Sequence, residues 1–135
     1  MNRLKGIITA IDSAVDISLV TVAALGDSFS ALVIDTPETA DYLRPGQEII
    51  MVFKETEMSV GNNLSGGLSL RNRFAATIIS FESGKILTSV NLNYKGQSLC
   101  AIITTRSALE LNLKVGEAVV GLVKSNEISL MLETN

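Results

Sequence analysis

The chain contains an internal repeat with a fixed offset of 70 residues. Asn2-Arg3 recurs as Asn72-Arg73, and the same offset continues without a gap along the rest of the chain. Other matches are Val20 with Val90, Gly26 with Gly96, Leu43 with Leu113, Gly46 with Gly116 and Lys54 with Lys124. A fixed period with turn glycines in register indicates duplication of one small unit. We therefore expect two domains, residues 1–60 and 69–135, joined by a Gly/Asn/Ser-rich linker at 61–68.

Each unit has the pattern of short strands. In the second unit, Val90, Leu92 and Tyr94 alternate with polar residues, as in a half-buried strand. Residues 104–113 predict a short helix, and residues 118–123 and 128–132 predict a closing hairpin. The first unit is expected to follow the same plan, with residues 37–43 in the helical position. Five strands with one helix between the third and fourth describe an OB-like barrel. The predicted fold class is all-β with short helices, in two OB-like five-stranded barrels in tandem.

Composition indicates where the protein is located and whether it forms oligomers. Of the 135 residues, 47% are hydrophobic, yet no apolar run approaches the length of a membrane-spanning helix. We expect no membrane insertion and no secretory signal, and a homo-oligomer whose interface covers the excess apolar surface. The single cysteine, Cys100, excludes an internal disulfide and favours the cytoplasm.

Composition also excludes several functions. The chain has no histidine, the usual general base and metal ligand. A net charge of −3 and an aromatic share of 4% oppose nucleic-acid binding. We expect no enzyme activity and no metal site of protein ligands. Glu57 and Glu127 recur at the 70-residue offset and are expected to serve turns, without forming a carboxylate pair.

One cluster stands at the start of the second unit. Residues 69–73 (Ser-Leu-Arg-Asn-Arg) bring together a hydroxyl, two guanidinium groups and an amide. An oxyanion offers only acceptors, so it requires hydroxyls, N–H groups and cations, with no carboxylate nearby. Residues 104–107 (Thr-Thr-Arg-Ser) add hydroxyls at a predicted helix N-terminus, where free N–H groups favour anions. Lys124-Ser125 adds an ammonium and a further hydroxyl.

The first unit serves as an internal control. Ile34 replaces Thr104, and Pro37 replaces Ser107. Asp35 is expected to cap the first unit's helix and so to occupy its N–H groups. Among the second unit's candidate ligands, only Lys124 has an identical counterpart in the first unit, Lys54. The first unit's own pocket is therefore interpreted as structural or degenerate.

These residues resemble a known family. Residues 69–72 resemble the Ser-Ala-Arg-Asn signature of Mop domains (molbindin, or molybdenum–pterin-binding, TOBE-like domains). Residues 103–107 are similar to the family's Val-Thr-Lys-Glu-Ser, and residues 122–125 to its Ile-Lys-Ala or Ile-Lys-Ser. The resemblance covers the whole second unit and the first in outline.

The resemblance implies a protein that binds molybdate or tungstate and catalyses no reaction. It also implies trimers of two-domain chains, with sites between one domain's Ser-x-Arg-Asn segment and a neighbour's Thr-x-x-Ser and Lys. The positions implied as oxyanion ligands are Ser69, Leu70 (main chain), Arg71, Thr104, Ser107, Lys124 and Ser125. The expected role is storage, buffering or sensing of the oxyanion in the cytoplasm.

Alternatives remain at this stage. Thr104 and Ser107 could serve only as helix caps. Lys124 recurs as Lys54 and could be a solvated turn residue. The chain could be an oligonucleotide-binding OB module, or a ligand-sensing module that acts on a separate regulator or transporter chain.

Overall fold

The computed structural model describes residues 1–133, which form two five-stranded curled sheets. The strands are β1 (Asn2–Ser13), β2 (Ser18–Ala24), β3 (Asp27–Val33), β4 (Glu48–Phe53), β5 (Ser59–Gly61), β6 (Asn72–Ser83), β7 (Leu87–Tyr94), β8 (Gln97–Thr104), β9 (Ala118–Val123) and β10 (Ser129–Met131). One helix, α1, spans Thr105–Glu110, and 3-10 turns span Glu55–Glu57 and Ser125–Glu127. The predicted fold class is confirmed.

Local strand and turn predictions agree with the structure. Val90, Leu92 and Tyr94 are buried on β7, because successive side chains of a strand alternate between its faces. Lys95 and Gly96, which join β7 to β8, have φ values of 47° and 89°. Positive φ at both central residues is typical of the type I′ hairpin turn, which matches the twist of the paired strands.

The fifth strand of each sheet comes from the other unit. The strand orders are β10-β4-β1-β2-β3 and β5-β9-β6-β7-β8. β5 pairs with β9 through Ser59 and Leu122, and β10 pairs with β4 through Ser129 and Val52. The two exchanged ladders are thus the same contact repeated at the 70-residue offset. The closing hairpin expected from the sequence is wrong, because β10 pairs with β4 and not with β9. The division at residues 61–68 remains a prediction about the repeated units.

Two crossover segments carry this exchange. Residues 54–58 run from β4 to β5, and residues 124–128 run from β9 to β10. Each segment begins with an extended lysine, Lys54 or Lys124, and then makes one 3-10 turn. Both lysines therefore lie where the chain leaves one sheet for the other.

A single apolar core lies under both sheets. The ring of Phe74 stacks on Phe29 at 4.6 Å and on Phe53 at 5.4 Å between centroids, and it meets Tyr94 edge to face at 5.2 Å. Phe29 and Phe53 belong to the first unit, and Phe74 and Tyr94 to the second. Burial of aromatic rings is among the largest contributions to a small core. The two units therefore share their core as well as their strands.

The helical position differs between the units. The second unit has α1, as predicted, but residues 37–43 of the first unit form turns and no helix. The Ala40 N–H donates to the Thr36 carbonyl, which gives a single helical hydrogen bond that is not continued. The expectation of a helix at residues 37–43 is therefore wrong.

Candidate oxyanion-binding site

Two cations stand just beyond the paired residues where β6 begins and β9 ends. The last ladder pair of these strands joins Asn72 to Val123, so Arg71 and Lys124 lie one step beyond it. Asn72 and Val123 are fully buried, and Arg71 and Lys124 are exposed, so the two cations share the outer face. Within residues 1–133, neither cation has a carboxylate within 4.0 Å.

A hydroxyl-lined cavity adjoins Arg71. Its volume is about 310 Å³, and it is lined by Leu19, Thr21, Ser28, Phe29, Ser30 and Arg71. Except for Arg71, these residues lie on β2 and β3 of the first unit. Ser125 is tied to the same place, because its Oγ lies 2.6 Å from the Ser30 Oγ. The cavity offers one guanidinium and several hydroxyls, and its lining contains no carboxylate.

Ser69 and Leu70 lead into this corner. Ser69 is exposed, and Leu70 is half-buried. Arg73 donates from Nε to the Leu70 carbonyl at 3.2 Å, a structural role for this arginine. An anion accepts hydrogen bonds and donates none, so the Leu70 group that it can use is the N–H. The name cation cluster is used below for Ser69, Leu70, Arg71, Lys124 and Ser125.

Thr104 and Ser107, the hydroxyl pair, lie elsewhere on the chain. Thr104 is the N-cap of α1: its Oγ1 accepts the Ser107 N–H at 3.1 Å and donates to the Ser107 Oγ at 2.8 Å. Thr104 lines a cavity with Lys85, Ile86 and Arg106. Ser107 lines a different cavity with residues of β5, β8 and α1. In the described part of the chain, neither cavity includes a member of the cation cluster.

The equivalent places in the first unit have other chemistry. Glu55 stands where the second unit has Ser125, and Ile34 stands where it has Thr104, with 85% of the Ile34 surface exposed. The expected N-cap role of Asp35 is wrong, because no helix follows it. Instead the Thr36 N–H donates to the Thr39 Oγ1 at 2.8 Å, and this hydroxyl donates to Asp35 at 3.3 Å.

Two residues outside the predicted set of oxyanion ligands shape the site. Asn72 is fully buried, and its side-chain amide pairs with the backbone of Ser30: it accepts the Ser30 N–H at 2.7 Å and donates to the Ser30 carbonyl at 2.9 Å. Ser30 in turn contacts Ser125. Asn72 was visible in the tetrapeptide at residues 69–72, but Ser30 reaches the site only through the strand exchange.

Comparison with protein families identifies the second unit. Residues 68–130 match the family model of the TOBE domain. Residues 68–130 are therefore called the TOBE domain. This domain contains the whole cation cluster and the hydroxyl pair, and its exchanged strand pairs with the first unit. Within residues 1–133, no helix is long and apolar enough to cross a membrane.

Similar proteins cover one or both units. The chain is 27% identical over 135 residues to the molybdenum transport protein ModE of Herbaspirillum seropedicae, covering 98% of this chain and 50% of that protein. It is 33% identical over 104 residues to the molybdenum-pterin-binding protein MopB of Rhodobacter capsulatus, covering 63% of this chain and 38% of that protein. The chain thus spans half or less of the length of these curated relatives.

A solved structure matches the whole architecture around the TOBE domain. It is the cytoplasmic molybdate-binding protein ModG in a form with molybdate bound. The match has a TM-score of 0.90 at 24% sequence identity and covers 98% of this chain and 96% of that chain. The likeness establishes a shared fold for both units, including the tandem arrangement predicted from the repeat.

Proposed function

We propose that this chain binds a tetrahedral dianion, molybdate or tungstate, through the cation cluster of its TOBE domain. The observation that carries the proposal is the position of Arg71 and Lys124 on one outer face, without a carboxylate partner in the described residues and beside a hydroxyl-lined cavity. A dianion would compensate both positive charges. The relatives named for molybdenum or molybdate support this choice of ligand.

The roles within the cluster follow from the chemistry of each group. Arg71 supplies a planar guanidinium that can donate two parallel hydrogen bonds, and Lys124 supplies a mobile ammonium. Ser125 donates through its hydroxyl or N–H, Ser69 through its hydroxyl and Leu70 through its N–H. Four or five charge-assisted bonds at about 1.5–3 kcal/mol each, less the desolvation of a dianion, leave roughly −8 kcal/mol, which corresponds to micromolar or somewhat tighter binding.

A second copy of the chain would complete the site. The hydroxyl pair lines other cavities than the cation cluster in one chain, so Thr104 and Ser107 would reach the oxyanion from a neighbouring copy. Apolar surface beside the cluster supports such a contact. Leu19 and Leu32 are cross-strand partners on the outer face of β2 and β3, and both are exposed. We propose a homotrimer, with the oxyanion held between copies.

Each chain would provide one such site. Glu55 places a carboxylate at the first unit's equivalent of Ser125, and this charge would repel a dianion. Ile34 and Pro37 remove both hydroxyls of the equivalent pair. The first unit therefore acts as a structural partner of the TOBE domain, and fewer sites per chain are expected than in a symmetric tandem protein.

The role is binding without catalysis, for storage, buffering or sensing of the oxyanion in the cytoplasm. Hydrogen-bond donors and cations suffice to hold a dianion reversibly. No step of this process requires a proton acceptor or a nucleophile at the site. Exchange of water for protein donors around the oxyanion is the whole of the proposed chemistry.

Titration calorimetry with sodium molybdate and sodium tungstate tests the proposal. We expect Arg71→Ala and Lys124→Ala each to abolish measurable binding while the oligomer persists in native mass spectrometry. Lys54→Ala is the matched control, because Lys54 occupies the same place in the first unit, and it should bind as the unaltered chain does. Asp35→Ala should likewise have little effect. Unchanged affinity in both Arg71→Ala and Lys124→Ala would refute the site.

A further inference from the structure

Ser30 of the first unit is held between the two halves of the cation cluster. Its backbone is fixed by the Asn72 side-chain amide, with hydrogen bonds of 2.7 Å and 2.9 Å, and Asn72 directly follows Arg71. Its hydroxyl lies 2.6 Å from the hydroxyl of Ser125, which directly follows Lys124. Ser30 also lines the cavity beside Arg71. One residue of the first unit thus touches both segments that carry the cations of the second.

The same arrangement recurs on the other side of the molecule with different chemistry. Asn2 accepts the Cys100 N–H at 2.8 Å and donates to the Cys100 carbonyl at 2.8 Å. Cys100 therefore matches Ser30 in backbone geometry, but its thiol is a weak donor. Glu55 takes the place of Ser125 there. Burial, and then the Glu55 charge, raise the pKa of Cys100. The environment of Cys100 disfavours negative charge, so this side of the molecule does not suit an oxyanion.

The direction of the hydrogen bond between Ser30 and Ser125 follows from the ligand. Each hydroxyl has one proton, and an oxyanion can only accept. When the Ser125 O–H donates a hydrogen bond to the oxyanion, the Ser125 oxygen remains free to accept a hydrogen bond from the Ser30 O–H. A hydroxyl that accepts a hydrogen bond becomes a better donor, because the two bonds polarise each other. The pair can therefore work as a short donor chain directed at the ligand.

We propose that Ser30 is a positioning residue of the oxyanion site: it donates to the Ser125 Oγ and so orients the Ser125 O–H toward the bound dianion. The inference rests on the proposed function and deepens it. It assigns the first unit, which lacks a site of its own, a direct part in the site of the TOBE domain. It also gives the strand exchange a consequence for binding, because Ser30 meets Ser125 only where residues 124–128 cross to the first unit's sheet.

The test is calorimetry with molybdate on Ser30→Ala, Ser125→Ala and the double variant. Loss of one neutral hydrogen bond predicts binding about three- to tenfold weaker for Ser30→Ala. If Ser30 acts through Ser125, Ser30→Ala should cause no further loss in the Ser125→Ala background, since the bond that it removes is already absent. Ser30→Thr, which keeps the hydroxyl on a strand residue, should restore most of the affinity.

Cys100→Ala is the matched control. It alters the same place in the other half and should leave the affinity unchanged, and the thermal midpoints of Ser30→Ala and Cys100→Ala without ligand should agree closely. Full affinity in Ser30→Ala, or an equal loss in both backgrounds, would overturn the inference while leaving the proposed function intact. Absence of binding to the unaltered chain would overturn both.

Discussion

Equivalent residues of the two units have diverged in charge while their backbones keep the same contacts. The backbones of Ser30 and Cys100 are held by the side-chain amides of Asn72 and Asn2, respectively (the asparagine clamps). Ser30 nevertheless faces Ser125, whereas Cys100 faces the region of Glu55. A one-residue change from hydroxyl to carboxylate is enough to decide whether a corner attracts or repels a dianion, because an anion gains from donors and loses beside a like charge. The difference at positions 55 and 125 therefore adds to the loss of the hydroxyls at Ile34 and Pro37 in the proposed asymmetry.

Glu57 and Glu127 are the exception, since both units keep the carboxylate. The sequence predicts no carboxylate pair, but the two crossover segments bring these side chains together. A hydrogen bond to Glu57, burial and the Glu57 charge raise the pKa of Glu127 above its ordinary value of 4.5, and the nearby Lys124 opposes this shift. The expectation of separate turn carboxylates is therefore wrong.

The Glu57–Glu127 pair is expected to lower the stability of the fold in a pH-dependent way. A carboxyl group whose pKa is raised on folding binds its proton more tightly in the folded state, so its stabilising effect is present at low pH and is lost as the pH rises through the folded-state pKa. Above that pKa the ionised Glu127 therefore costs stability. We expect Glu127→Gln to raise the thermal midpoint by a few degrees at pH 7, and the gain to shrink as the pH falls through the raised pKa of Glu127 toward its ordinary value of 4.5.

Thermal unfolding followed by circular dichroism across pH 4–8 checks this expectation. Glu117→Gln provides a comparison at a carboxylate that accepts hydrogen bonds from the Lys114 N–H and from Asn62, and it should lower the midpoint at pH 7. A lower midpoint for Glu127→Gln at pH 7 would mean that the carboxylate stabilises the crossover.

At the scale of the strands, local pattern predicted the elements but not their partners. Alternating burial on β7, the Lys95-Gly96 turn and the helix after β8 could all be read from residue types, because each depends on neighbours in the sequence. The exchange of β5 and β10 between the two units could not be predicted from residue types. These strands are repeats of each other, so each has the same local complementarity to β4 and to β9, and the sequence does not distinguish pairing within a unit from pairing between units.

The same limit applies to the candidate site. The cation cluster could be identified because its members lie in short motifs, and β6–β9 pairing brings those motifs together. Ser30 could not be identified, because its contact with Ser125 joins residues 95 apart in the sequence and depends on the strand exchange. Pro37 does not signal the absence of a helix at residues 37–43, because proline is tolerated in the first turn of a helix.

The two asparagine clamps give a prediction for the elements. Asn2 and Asn72 each join the first strand of one unit to the third strand of the other. Removing either side chain leaves a backbone N–H and a carbonyl without partners, at about 1–3 kcal/mol for each buried group that stays unsatisfied. We expect Asn2→Ala and Asn72→Ala each to lower the free energy of unfolding by about 2–4 kcal/mol in urea titrations.

Molybdate affinity should distinguish the two clamps. Asn72 positions Ser30 beside the cation cluster, so Asn72→Ala should weaken molybdate binding by more than Asn2→Ala at equal loss of stability. Asn126→Ala, at an exposed residue of the second crossover, should change the free energy of unfolding by less than about 0.5 kcal/mol. Equal affinities in Asn2→Ala and Asn72→Ala would show that the clamps serve stability alone.

At the scale of the whole molecule, the two units depend on each other. Each sheet requires a strand from the other unit, the clamps are reciprocal, and the aromatic rings of both units meet in one core. Reciprocal contacts of this kind are the rule in twofold dimers, where each half completes the other. Here the same arrangement lies within one chain, and the repeats behave as two subunits joined by a linker.

We therefore expect the chain to unfold as one cooperative unit. Tyr42 belongs to the first unit. Tyr94 belongs to the second unit but packs against Phe29 of the first, and the chain has no tryptophan. In Tyr42→Phe, the remaining fluorescence reports on the core that the two units share, and in Tyr94→Phe it reports on the first unit. Within each variant, tyrosine fluorescence and far-ultraviolet circular dichroism should give the same urea midpoint, because neither sheet keeps five strands once the other has opened. Fluorescence that changes before or after the dichroism in either variant would mean that one unit stands without the other, and that the exchanged strands contribute little to holding the halves together.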